Sequence, residues 1–396
     1  MEDQQAGRKA HVLLLYHVMI PSVRLCGHFQ MEALAKQGRI EYRSCKIEWL
    51  TTRLCNWADV VILVRLDNDQ DRELAENLHR SGRTLVYVLD DDLLNVPDEL
   101  TNAVYYHQPN IRRNIAQMLA MSDAILSPSP LLLTKYAGPG QVGMLTEEPA
   151  ISPAGYHPHD AGRPVRIGFA GSVDRTGDLE RILGDALRQV RQQYGDRVEF
   201  EFFGAIPGFA KDWGAKLYPY CSSYELYRQL LNEREWDIGL APMADSPFSA
   251  CKHYNKFCEY AAAGIAGIFS EHEPYLRLKK KIGIGQFCQN DTDEWYRAIS
   301  AWVENRGLLE ETRRSAAEYA ATKLSADYIA EELYRDYPQV WACCEEKTPI
   351  RYQHFKNASQ AFANRVGASV KRHGWRFPLV MLKKAGVKLR YALLRR

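Results

Sequence analysis

Short apolar runs without polar alternation recur along this chain, each followed by a stretch of helical spacing, and the pattern stops once and begins again. Residues 11–16 (HVLLLY), 60–64 (VVILV) and 84–89 (TLVYVL) are continuous apolar runs of strand length. Residues 30–37 and 73–80 lie between them with helical periodicity, ending at Gly38 and near Gly82. Residues 111–121 are helical again, and 124–126 form a short strand ahead of Ser127-Pro128-Ser129-Pro130. Strands that are apolar on both sides must be covered on both sides, which predicts a parallel sheet between helical layers. Residues 149–164 are rich in Pro, Gly and His, lack an apolar period, and read as a linker. Beyond them the alternation resumes. Strands are expected at 165–170, 198–203, 237–241 and 265–269, and helices over 179–190, 251–263, 295–304 and 308–323. The expectation is an α/β protein of two Rossmann-like, doubly wound parallel-sheet domains, 1–155 and 156–345. Ligands in such sheets sit at the carboxyl ends of the strands, so two facing domains form a cleft. A chain of 396 residues suits two cores, and 46% hydrophobic with 25% charged residues excludes the disordered and low-complexity classes.

The net charge of +2 conceals a division. Residues 350–396 hold twelve Lys/Arg and no Asp/Glu, leaving 39 basic against 49 acidic residues before them. Phe355, Phe362 and Val366 recur near helical spacing within this basic stretch, as do Leu379, Leu382, Leu389 and Leu393. The segment 346–396 therefore reads as a basic amphipathic tail suited to an anionic membrane surface. Packing against the acidic body and binding to nucleic acid remain alternatives, with no nucleic acid expected. No run approaches 18 apolar residues, so no membrane span is expected. Glu2 and Asp3 stand where a signal peptide carries positive charge. Nine scattered cysteines without a Cys-x-x-Cys spacing give neither a disulfide framework nor a zinc module. The expected setting is cytoplasmic, peripheral on the inner face of the cell membrane.

Two stretches of the second half carry chemistry. In 165–178 a strand ends at Gly171-Ser172, a helix follows near Asp178, and Arg175 lies between. Small residues there let backbone N–H groups approach an anion, and the helix start adds a positive end. In 247–264 a loop leads into a helix stopped by Gly264. Read as one helix, Lys252, Lys256 and Glu259 fall at i, i+4 and i+7 on one face. Lysines near a helix start and a glutamate near its end each oppose the macrodipole by about 0.3–1 kcal/mol. A rule broken three times suggests a site, although a solvated charged face remains the alternative.

These stretches resemble the retaining, GT-B-fold glycosyltransferases of the family 4 type, especially those that build bacterial surface polysaccharides. The matching residues are Ile167-Gly-Phe-Ala-Gly-Ser172, Phe202-Phe-Gly204, Trp236-Asp-Ile-Gly-Leu-Ala-Pro242 and Lys252…Lys256…Glu259-Tyr-Ala-Ala-Ala-Gly264, with Trp295 ahead of a terminal helical segment. The resemblance implies a nucleotide-sugar donor held by the second domain. Gly171, Ser172 and Arg175 would lie near phosphate, Lys252 and Lys256 would supply phosphate charges, and Glu259 would bind the ribose. Lys252, Arg175 and Lys256 are then the catalytic candidates, since fixed cations stabilise charge developing on a leaving phosphate. One departure stands out: Cys251 occupies the position where many members carry a glutamate that touches the donor sugar. Ser249, His253 and a backbone group are the replacement candidates for that contact.

The first half resembles the family more loosely. Arg24, Arg65, Asp91, Asp92 and His107 follow or flank predicted strand ends and are candidates for the acceptor side. Asp90-Asp91-Asp92 leaves a metal site, a structural turn and a cleft contact all open, but the resemblance implies no metal and no cofactor beyond the donor. The implied acceptor is a glycan or lipid-linked glycan. A catalytically silent scaffold of the same fold is the alternative, with Cys251 as its main support.

Overall fold

The computed structural model describes residues 8–160 and 162–351. They form two six-stranded, wholly parallel sheets. The first contains β1 (His11–Tyr16), β2 (Glu41–Lys46), β3 (Val60–Val64), β4 (Thr84–Val88), β5 (Ala124–Ser127) and β6 (Val142–Leu145), in the order β2-β1-β3-β4-β5-β6. The second contains β7 (Val165–Gly171), β8 (Val198–Gly204), β9 (Lys216–Tyr218), β10 (Ile238–Ala241), β11 (Ala266–Ser270) and β12 (Gln286–Cys288), in the order β12-β11-β10-β7-β8-β9. The central strands are those with continuous apolar sequence. All five residues of β3 are buried, as are all five of β11, because helices cover both faces. Each sheet consequently has two apolar layers. Leu13, Leu63, Tyr87 and Ile125 face one layer of the first sheet, while Val12, Leu14, Ile62 and Val88 face the other.

The expected α/β class and two-lobed architecture are what the chain adopts. Parallel strands place all the carboxyl ends of each sheet on one edge, and the two edges face each other across a cleft. Contacts from both lobes meet there: Arg24 Nε reaches Glu225 at 2.8 Å, Thr101 Oγ1 reaches Asp174 at 3.4 Å, and Lys252 Nζ reaches Asp91 at 2.6 Å.

The chain also returns to its starting lobe, a departure from the expected 156–345 span. The helix Ala326–Asp336 packs on the helix Phe29–Lys36, and Ala330, Leu333, Val340 and Trp341 complete an apolar layer of the first sheet. Beyond it, Lys347 Nζ pairs with the buried Asp59 at 2.7 Å, while Thr348 N–H donates to Ser81 O at 3.2 Å. Leu333 and Trp341 are apolar groups that need a core, and the first lobe supplies it. The expected basic tail lies almost entirely outside the described residues.

Candidate functional site

The second lobe opens a pocket of about 540 Å³ at the ends of β7 and β8, lined by Gly171, Ser172, Phe203, Gly204, Tyr220, Cys221, Tyr227, Lys256 and Glu259. Two glycines let its floor form. Gly204 has φ of +86°, and a Cβ there would lie 2.0 Å from the Gly171 carbonyl oxygen. That carbonyl instead accepts from Ala205 N–H at 3.0 Å, which ties the two strand ends together. Phe203 stacks on Tyr227, with ring centroids 5.3 Å apart and planes 15° from parallel.

Glu259 is buried in the wall of this pocket. Its Oε2 accepts from Tyr227 Oη at 2.8 Å and from Lys256 Nζ. Burial by itself would push the carboxyl up, but Lys256, Arg228 and these hydrogen bonds hold it below the usual carboxylate range. Arg228 is buried nearby with neither terminal guanidinium nitrogen hydrogen-bonded among the described residues. The ionised Glu259 thus offers a fixed acceptor beside a cation, the combination that a ribose diol and a phosphate together require.

The expected three-residue face does not exist. The helix that carries Lys256 and Glu259 spans Asn255–Ala262, and Lys252 lies before it. A separate short helix, Pro247–Ala250, is capped by Ser246, and Tyr254 then leaves helical geometry at φ −81°, ψ 45°. Arg277 stabilises the break by donating to the Lys252 carbonyl at 2.6 Å. Lys252 is thereby turned toward a second pocket of about 510 Å³ that spans the two lobes, lined by Pro21, Ser22, Leu25, Arg65, Asp90, Asp91, Glu148, Lys252, His253 and Asn255.

The second pocket is a charge network. Arg65 grips Asp90 with two hydrogen bonds, 2.9 and 2.7 Å, and reaches Asp91 at 3.1 Å. Asp91 in turn accepts from Lys252. Burial raises the Asp91 carboxyl, yet Lys252 and Arg65 outweigh it and leave the group below its ordinary value. Beside them, His253 Nε2 meets Glu147 at 2.8 Å, and Glu147 also accepts from Tyr254 Oη and Lys281 Nζ. Burial opposes charge on both partners, but His253 bonded to Glu147 lowers that carboxyl to about 2 and is itself pushed up to about 9. The two are an ion pair at neutral pH.

Consecutive residues, Asn255 and Lys256, line different pockets. The start of the Asn255–Ala262 helix therefore stands between the two, and Tyr254 provides no side-chain cap for its N–H groups. Phe257 N–H already donates to the Tyr254 carbonyl at 2.9 Å, but with no side chain capping it the positive helix end suits an anion at this point.

The remaining expected site residues are employed elsewhere. Arg175 donates to the Pro242 carbonyl at 2.8 Å and pairs with Asp178 at 3.3 Å, so it braces the end of β10 and does not line the first pocket. Asp92 is buried against Lys135, Tyr136 and Asn95, and holds the turn after β4. His107 Nε2 bonds to the Val96 carbonyl at 2.7 Å, also away from the cleft pockets. Arg24 is committed to Glu225 across the cleft, and Ser249 is buried and lines neither pocket. Cys251 packs with an apolar layer of the first sheet and lines neither pocket. Glu147, Glu148, Tyr220 and Tyr227 contribute to the site without a local signal in the sequence, whereas Asp90 belongs to the Asp90-Asp91-Asp92 run that left a cleft contact open.

Two clusters among the described residues bring metal-ligating groups together, His17–Asp67–Asp71 and His159–Asp237–Glu310. Each has internal employment. Asp71 closes the capping box of the helix Asp69–Arg80, and Asp237 is neutralised by Arg163 at 2.9 Å. Neither cluster lines either pocket.

No protein-family model matches the chain, and no curated protein is similar to it. Solved structures are similar in fold. Anabaena HepE in complex with UDP-glucose is 13% identical with a TM-score of 0.55, covering 83% of this chain and 99% of that one. An alpha-glucosyltransferase in complex with UDP and a 13-mer DNA is 11% identical with a TM-score of 0.58, over the same 83% and 99%. A trehalose-6-phosphate synthase studied for glycosyl transfer with retention is 12% identical with a TM-score of 0.52. These likenesses extend over both lobes and nearly the whole of each compared chain, and with the two facing parallel sheets they identify the fold as GT-B.

Proposed function

We propose that the protein is a glycosyltransferase that moves a sugar from a nucleotide-sugar to a glycan or lipid-linked glycan acceptor. The transfer proceeds with retention and needs no metal. The observation that carries this reading is the helix start at Asn255, standing between a pocket with a ribose-type carboxylate and a polar pocket that spans the cleft. A nucleotide-sugar has the same order of parts: nucleoside, diphosphate, sugar. The nucleoside would occupy the Phe203–Tyr227 side with its ribose on Glu259. The diphosphate would meet the helix N-terminus, Lys256 and the Gly171-Ser172 backbone, and the sugar would enter the pocket beside His253. Complexes of the Anabaena protein with UDP-glucose, and of the alpha-glucosyltransferase with UDP, support a nucleotide-sugar as the class of donor.

Cleavage of the sugar–phosphate bond leaves negative charge on the departing diphosphate and positive charge on the sugar. Lys256 and the helix start oppose the first at fixed positions, so they act more strongly on the transition state than on the bound donor. Lys252 joins them by exchanging Asp91 for phosphate, which leaves Asp91 facing the sugar and acceptor. The leaving phosphate oxygen accepts the acceptor's hydroxyl proton as the new glycosidic bond forms on the same face, so a separate carboxylate base is not required. Closure of the cleft keeps water from the donor.

Surface polysaccharide assembly, which the family resemblance implies, and a place at the inner face of the membrane, which the basic composition of residues 350–396 supports, are part of the same proposal. The test is turnover of UDP-, GDP-, ADP- and CMP-sugars by the full chain, with chelator present. One donor is consumed, and Lys252→Ala lowers that turnover by about 10²-fold or more. A silent scaffold would leave every donor intact.

A further inference from the structure

The cleft pocket that would receive the sugar is lined by two buried polar groups, Glu148 and His253. Glu148 leaves the linker between the lobes and is 8% exposed; His253 is 5% exposed. The His253 Nε2 position is committed to Glu147, but its buried Nδ1 has no hydrogen-bond partner among the described residues. The Glu148 carboxylate lies 3.8 Å from that Nδ1, an ion-pair distance but beyond hydrogen-bond length, and its other neighbour is the weakly donating Cys26 thiol at 3.7 Å. Buried polar groups are rarely left so poorly satisfied, and both of these line the cavity that spans the cleft.

The two groups face each other as donor and acceptor. An imidazolium presents N–H at Nδ1, and the carboxylate presents lone pairs across the gap. One hydroxyl at ordinary bond lengths from both fills it, accepting from Nδ1–H and donating to Glu148. Asn255, on the same wall, adds an amide at the position where the diphosphate would end. The cations of the pocket are already matched: Arg65 by Asp90 and Asp91, Lys252 by Asp91, and His253 by Glu147. Glu148 shares His253 with Glu147, so this part of the pocket carries more carboxylate than cation and disfavours an acidic sugar.

Resting on the nucleotide-sugar reading, we propose that Glu148 and His253 form the donor-sugar subsite, clamping one hydroxyl of a neutral sugar between the carboxylate and Nδ1. The clamp selects for the sugar and does not touch the nucleotide. Glu148 is a specificity residue supplied by the linker, so the sugar is read by the segment joining the two lobes.

The experiment is calorimetric titration of the full-length protein with UDP and UDP-glucose, and with GDP and GDP-mannose, for wild type, Glu148→Gln and Glu148→Asp. For the nucleotide that binds, both variants lower affinity for the nucleotide-sugar by about tenfold or more, as expected for loss of a charge-assisted hydrogen bond. Affinity for the bare diphosphate stays at the wild-type level, which also reports that the variants are folded. Equal loss of both ligands, or loss of neither, overturns the subsite while leaving the nucleotide-sugar reading intact. A wild-type protein that binds none of these four ligands, nor ADP-glucose or a CMP-sugar in the same titration, removes that reading and the subsite with it.

Discussion

A charge buried in the cleft survives only with a partner, and the best example here is the pair Glu147–His253. Burial disfavours both ions, yet the 2.8 Å contact, with Lys281 beside the carboxyl and Glu148 beside the imidazole, holds the carboxyl at about 2 and the imidazole at about 9. A histidine raised from its ordinary value near 6.5 stabilises the fold fully below pH 6.5, and that contribution is lost as pH rises through about 9. The lowered Glu147 contributes fully above about pH 4.5, losing its effect as pH falls toward 2. Thermal melts should accordingly show the pair's stabilisation in full between pH 4.5 and 6.5 and a decline in melting temperature from pH 7 to 9.5. In Glu147→Gln that alkaline decline should be much reduced; an unchanged slope would refute the pairing. His253, Lys256 and Glu259 are legible in the sequence because a short segment around one helix start carries them. Glu147 is not, since its partner lies 106 residues away, and Asp91 finds Lys252 across 161 residues. Such partners are fixed by the fold, and no local spacing records them.

At the scale of elements, the central strands are readable because burial on both faces demands continuous apolar sequence. β1, β3, β4, β7, β8, β10 and β11 follow the expected runs closely. The strands absent from the sequence reading, β2, β6, β9 and β12, are the sheet edges: β2 and β6 each bury one residue, while β9 and β12 have three residues each. An edge strand needs only one neighbour, so its sequence is free to be polar. The helix expected over 251–263 is the instructive error. Charge spacing alone made Lys252 part of it, whereas Tyr254 and the Arg277–Lys252 carbonyl bond end the preceding turn and delay the helix to Asn255. Capping is a three-dimensional event here: Arg277 belongs to the helix Tyr275–Lys281, beyond β11. The consequence is functional, because the delay sends the two lysines into separate pockets.

Across the whole molecule, the two lobes are joined twice, once by the linker that contributes Glu147 and Glu148 and once by the return through Ala326–Asp336 to the first core. The acidic body and the basic residues 352–396 remain the other large-scale asymmetry. Co-sedimentation with vesicles containing anionic lipid should bring down the full chain and leave residues 1–351 in solution; equal sedimentation would end the membrane proposal. The central claim is that the helix start at Asn255 receives a diphosphate between the two pockets. Its most direct test is calorimetric binding of the matching nucleoside and nucleoside diphosphate to wild type and Lys256→Ala. The account predicts that the diphosphate binds far more tightly than the nucleoside, and that Lys256→Ala removes about tenfold or more of that advantage. Equal affinity for nucleoside and diphosphate, or an advantage untouched by Lys256→Ala, would contradict it.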